Sequence, residues 1–113
     1  MDRPDAVLRV KLLRDFEGRA IRLTDERLVH ILERPEMAAL EPELETTLRS
    51  PQNVIQSISD DDSRLYYRFY TGTKVGDKYL CVVVKILPVD AFIITAYLTD
   101  KVKKGDQLWP RND

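Results

Sequence analysis

The sequence predicts an α+β domain in which an N-terminal hairpin leads into two helices packed on a four-stranded antiparallel sheet. Three observations carry that expectation. Two stretches rich in Val, Leu and Ile between residues 6 and 23 flank a turn that ends in Gly18. Residues 24–49 hold helix start and stop signals, and residues 53–99 hold four β-branched or aromatic runs separated by short turns. At 113 residues the chain has the size of one domain, read as 1–113 with residues 1–5 and 106–113 as peripheral tails.

Each element follows from its residues. Asp15, Phe16, Glu17 and Gly18 form the turn between AVLRVKLL and RAIRL, which makes these two runs an antiparallel hairpin. Thr24 is a helix N-cap, with Asp25 and Glu26 where the helix dipole favours acids, so the first helix covers roughly residues 25–33. Pro35 ends it, because proline disfavours helical geometry in the preceding residue. Pro42 suits a first helical position, Leu44 and Leu48 give the second helix its apolar stripe, and Pro51 stops it after about Arg49. Residues 53–59, 64–71, 78–87 and 91–99 then read as strands. The turns between them are short enough to predict a meander of sequence neighbours. Residues 81–84 and 92–94 are apolar on both faces, which predicts the sheet centre there. Residues 101–106 read as a solvated basic exit, and Trp109 as a ring that pins the tail to the body.

Composition excludes several classes. Hydrophobic residues make up 43% and charged residues 33%, so the chain has enough apolar material to fold. No apolar stretch approaches the ~20 residues of a membrane span, and the opening MDRPD is too charged for a secretory signal; the expectation is a cytoplasmic protein without a membrane partner. Cys81 is the sole cysteine and His30 the sole histidine, and phosphate-cradling glycine loops and serine nucleophile elbows are missing. The expected cofactor and metal content is therefore none. Net charge is −1 but segregated: residues 1–34 carry +1, residues 35–63 carry −6 and residues 64–113 carry +4. The plain reading is an acidic solvent-facing helix, and a basic working face is the alternative.

Helical spacing sets His30 about 200° from Leu28 and beside Arg27 and Arg34, with Glu26 and Glu33 also adjacent. One reading is a surface residue in a mixed ion-pair face. The other is an imidazole between two guanidinium groups, able to hold a phosphate and move a proton during attack by a neighbouring ribose hydroxyl. In LYYRFY, alternation puts Tyr66, Arg68 and Tyr70 on one face, a pattern suited either to a half-buried strand or to single-stranded RNA. Lys85 and Thr95 are polar groups in apolar strands and need partners; whether they share a face depends on the hairpin register, which the sequence leaves open.

The string GRAIRLTDERLVHILERPEM, with TTLRSPQNV, LYYRFY, KYLCVVVK and FIITAYLTDKVKKG, resembles the phage and bacterial domains grouped with the barnase, EndoU, colicin and RelE-like (BECR-fold) ribonucleases. The likeness runs over about residues 18–105. It implies a metal-independent RNA endonuclease of toxin type. The catalytic group it implies is His30, Arg68, Lys85, Thr95 and Tyr97, with His30 as acid or base, the two cations on the phosphate, and Thr95 and Tyr97 as polar positions of the last strand. Arg27, Arg34, Tyr66 and Tyr70 are the expected substrate-binding residues. RNA is the expected partner, with an antitoxin or other protein as a further one. The competing expectation is a catalytically inactive module of the same fold that binds nucleic acid or protein.

Overall fold

The computed structural model describes residues 9–111; residues 1–8 and 112–113, which include the expected tail at 1–5 and the first residues of the expected hairpin, lie outside the described residues. The chain runs β1 (Val10–Arg14), β2 (Ala20–Thr24), α1 (Asp25–Leu32), α2 (Glu41–Arg49), β3 (Asn53–Gln56), β4 (Ser63–Thr73), β5 (Gly76–Leu87), β6 (Asp90–Thr99) and β7 (Asp106–Trp109). A single 3-10 turn, Pro35–Met37, links the helices.

Local chemistry explains the borders. Gly18 has φ 81°, a left-handed conformation that suits glycine, and its N–H donates to the Asp15 carbonyl at 2.9 Å. The Asp15 carboxylate accepts from the N–H groups of Glu17 and Arg19, tightening the same turn. Thr24 caps α1 by accepting from the Arg27 N–H at 3.2 Å. In α2, Leu44, Thr47 and Leu48 are the buried stripe.

The sheet departs from the expected fold class. All seven strands belong to one mixed sheet in the order β1-β2-β6-β5-β4-β3-β7. The predicted four-stranded antiparallel sheet with a hairpin beside it is therefore wrong in extent and in direction. β3, β4, β5 and β6 do pair antiparallel with their sequence neighbours. The N-terminal hairpin joins them through a parallel contact between β2 and β6 at Arg22 and Phe92, and residues 106–109 of the expected tail pair antiparallel with β3. β7 covers the edge that β3 would otherwise expose, whereas β2 meets β6 at one residue pair only. Neither has a local signature, because the paired residues are far apart in sequence.

Both helices lie on one face of the sheet. The main core there joins Ile31, Met37, Leu44 and Leu48 to Ile21, Val54, Leu80 and Val82. Each such side chain, fully buried, contributes roughly 1.5–3 kcal/mol of transfer free energy. The opposite face carries a smaller cluster of Ile55, Leu65, Tyr67 and Cys81, against which Val102 packs. Trp109 does hold the tail to the body: it is in register with Val54, and its ring lies 5.2 Å from that of Phe16 in the first turn. Among the described residues no helix is long and apolar enough to cross a membrane.

Candidate functional site

The two faces of β4 have opposite fates. Tyr66, Arg68 and Tyr70 point toward the helices. Tyr66 is fully buried and its hydroxyl donates to Asp15 Oδ2 at 2.7 Å, Tyr70 shares a 3.1 Å hydrogen bond with the Thr47 hydroxyl, and Arg68 donates to the Ser50 carbonyl at 2.6 Å. Tyr70 and Arg68 bind α2 and its C-cap to the sheet, and Tyr66 binds the first turn to it. Lys85, Thr95 and Tyr97 lie across the sheet from them, so the nine expected residues do not share one face. Alternation sorted the side chains of β4 into the right pair of sets, and helix packing decided which set faced inward.

Lys85, Thr95 and Tyr97 share the open face. Thr95 is in register with Val83, and Lys85 lies two residues further along β5. The register shifts between Val83 and Val84, where β6 carries Ile94 as an extra residue, and this bulge settles the facing that the turn alone left open. A groove of about 470 Å³ runs over this face, lined by Ser57, Ser63, Thr95, Tyr97, Lys103 and Lys104 among others. At one end Lys85 Nζ donates to Asp60 Oδ2 at 2.6 Å, and Asp60 also accepts from the Ser63 hydroxyl and the Asp62 N–H. The Lys85 hydrogen bond leads these in drawing the Asp60 carboxyl down to about 2, and Asp60 in turn raises Lys85. This end is a fixed ion pair at neutral pH. Burial and the nearby Cys81 thiol raise the Tyr97 hydroxyl, which is thus a neutral hydrogen-bond donor there rather than a base. Burial pushes the Cys81 thiol up to about 11, against hydrogen bonds from Tyr97 and Tyr67. That thiol is protonated and unreactive.

The third group comes from α1. Its His30 imidazole is 69% exposed, with Nδ1 3.4 Å from Glu33 Oε1. Arg34, just past the helix end, donates from Nη1 to the Ala96 carbonyl at 3.1 Å. Ala96 lies between Thr95 and Tyr97, on the stretch of β6 beyond its parallel contact with β2. The guanidinium thus fastens the segment after α1 to β6, four residues along the chain from His30. Arg27 is half-buried on the same helix face, and its backbone N–H makes the Thr24 cap. Helix spacing therefore unites Arg27 and His30, while Arg34, extended past the helix end, reaches the β6 backbone beside Tyr97.

Two features were missed at the level of sequence. The expected solvated exit at residues 101–106 is only partly one: Val102 packs on the open face, the Lys103 N–H donates to the Tyr67 hydroxyl at 3.1 Å, and Lys103 and Lys104 line the groove. The apolar Val102 between lysines was the available signal. Asp60 as the partner of Lys85 had none, since the pair depends on strand register. Among the described residues no group of three or more His, Cys, Asp or Glu side chains is placed to hold a metal ion. No family model, curated protein or solved structure matches the chain.

Proposed function

We propose that the protein is a metal-independent ribonuclease of toxin type whose working surface is the β6 edge and the adjoining open sheet face. The observation that supports this reading best is the Arg34 bond to the Ala96 carbonyl, which joins the segment after the histidine-bearing helix to the strand that carries Thr95 and Tyr97. The resemblance over residues 18–105 points the same way. In this reading Arg34 and Lys85 offset the charge of the scissile phosphate, Thr95 and Tyr97 donate hydrogen bonds to its oxygens, and His30 moves the proton. A 2′-hydroxyl loses its proton to the imidazole and attacks phosphorus. The bond to the 5′-oxygen breaks, that oxygen takes up a proton, and a cyclic phosphate remains on the upstream fragment. Arg68, Tyr66 and Tyr70 have no part in it.

The test is incubation of purified protein with single-stranded RNA in a chelator. Cleavage is expected. It should fall by about a hundredfold or more in His30→Ala and in Arg34→Ala, by analogy with loss of a charge-stabilising donor, and stop when the reacting 2′-hydroxyl is replaced by hydrogen. Absence of cleavage, or cleavage unchanged in both variants, overturns the reading. A second reading, a module that binds RNA without cutting it, is favoured by the Lys85–Asp60 pair, which already satisfies one of the cations. It expects RNA binding that weakens steeply with salt, as phosphate contacts require, and no product.

A further inference from the structure

We infer that the ring pair Phe69–Tyr79 is a stacking subsite for one unpaired base of single-stranded RNA, a proposal that rests on the function above and specifies its substrate. Phe69 of β4 and Tyr79 of β5 are cross-strand register partners on the open face, with ring centroids 5.0 Å apart at 70°. Tyr79 also meets Tyr67 edge-on at 6.2 Å, so the pair continues the smaller apolar cluster outward from the groove.

Phe69 is 42% exposed, a large apolar ring left open to solvent. The cause is topological. β4 and β5 reach 11 and 12 residues, whereas β3 stops pairing at Tyr67 and β6 at Tyr79. The rings therefore stand where the sheet narrows toward a two-stranded arm, with Tyr79 half-buried and Phe69 open to solvent.

Charge identifies the occupant. Residues 100–105 cross the same face, held down by Val102 and by the Lys103 N–H on the Tyr67 hydroxyl. Lys101, Lys103 and Lys104 are exposed, and none is in an ion pair among the described residues, whereas Asp100 is occupied by Lys78. An exposed aromatic ring on a face that also carries unpaired cations fits a ligand with planar rings on an anionic backbone. Duplex RNA keeps its bases stacked inside, so the matching form is the single strand. From Tyr79 to Val83, the register partner of Thr95 in the groove, is four residues of strand, about 13 Å. The stacked base and the phosphate in the groove therefore belong to neighbouring parts of one strand.

The experiment is anisotropy titration of the whole protein with a fluorescently labelled eight-nucleotide single strand and with a duplex of the same sequence, in a chelator and with the reacting 2′-hydroxyls replaced to prevent cleavage. Phe69→Leu keeps apolar bulk without an aromatic face, and should weaken single-strand binding by about tenfold while leaving duplex binding unchanged. Phe69→Trp should restore it, and an abasic site at one position of the strand should reproduce the loss in the wild type only. Lys103→Ala with Lys104→Ala should weaken both ligands and reduce the salt dependence. If Phe69→Leu binds as the wild type does while the lysine variant is impaired, the subsite is overturned and the nucleic-acid face stands; rings that serve a protein partner would give this result. Equal losses on single strand and duplex also overturn it. If the wild type binds neither ligand, the parent reading fails together with the subsite.

Discussion

The side chains of Asp15 and Asp60 show how one residue type serves two ends. Asp15 is buried and fully engaged, taking hydrogen bonds from the Tyr66 hydroxyl, the Arg19 guanidinium and two backbone N–H groups. A buried carboxylate is tolerable only with such a complete set of donors. Asp60, by contrast, stands at the groove and spends its charge on Lys85. Its carboxyl lies at about 2 when folded, against 3.8 for the free group. A depressed acid contributes stability above its unfolded value and loses it as pH falls through the folded one. Melting temperature should therefore drop between roughly pH 4 and pH 2 partly through Asp60, and Asp60→Asn should flatten that part of the curve. An unchanged acid limb would show that the pair adds nothing to stability. Lys85, raised by the same contact, keeps its share until strongly alkaline pH.

At the scale of elements, the loop at residues 100–105 is the segment on which the open face depends. Its last residue, Gly105, passes so close to β3 that an added Cβ would lie 2.5 Å from the Gln56 carbonyl oxygen and 2.7 Å from the Ile55 side chain. The backbone oxygen cannot move aside, so Gly105→Ala must displace the loop or the strand. The expected cost is about 1–3 kcal/mol in urea unfolding, together with weaker RNA binding as Lys103 and Lys104 shift. Wild-type values in both measurements would refute the close approach. Such contacts explain what could be read beforehand. The Thr24 cap, the Leu44 and Leu48 stripe and the strand runs from residue 53 to 99 rest on nearest neighbours, and they were legible. The parallel junction of β2 with β6, the seventh strand and the inward choice of Tyr66 over the exposed Phe69 rest on partners far along the chain. The inward placement of Arg68 has the same cause: alternation names its companions but not the layer that covers them.

Considered whole, the sheet places β1 and β7 at its opposite edges, and yet the turn after β1 reaches the tail through Phe16 and Trp109. Phe16 also meets the Tyr66 ring edge-on at 6.3 Å, so the contact is anchored in the core beneath the helices. Aromatic pairs of this kind contribute about 0.5–1.5 kcal/mol beyond the area they bury. A double-mutant cycle with Phe16→Leu and Trp109→Leu should give a coupling of about 1 kcal/mol in chemical unfolding; additive effects would show that the rings merely lie side by side. Trp109 is also the chain's single tryptophan. Its emission is accordingly an intrinsic optical gauge, readable without a dye, of whether the first turn and the last strand are fastened together.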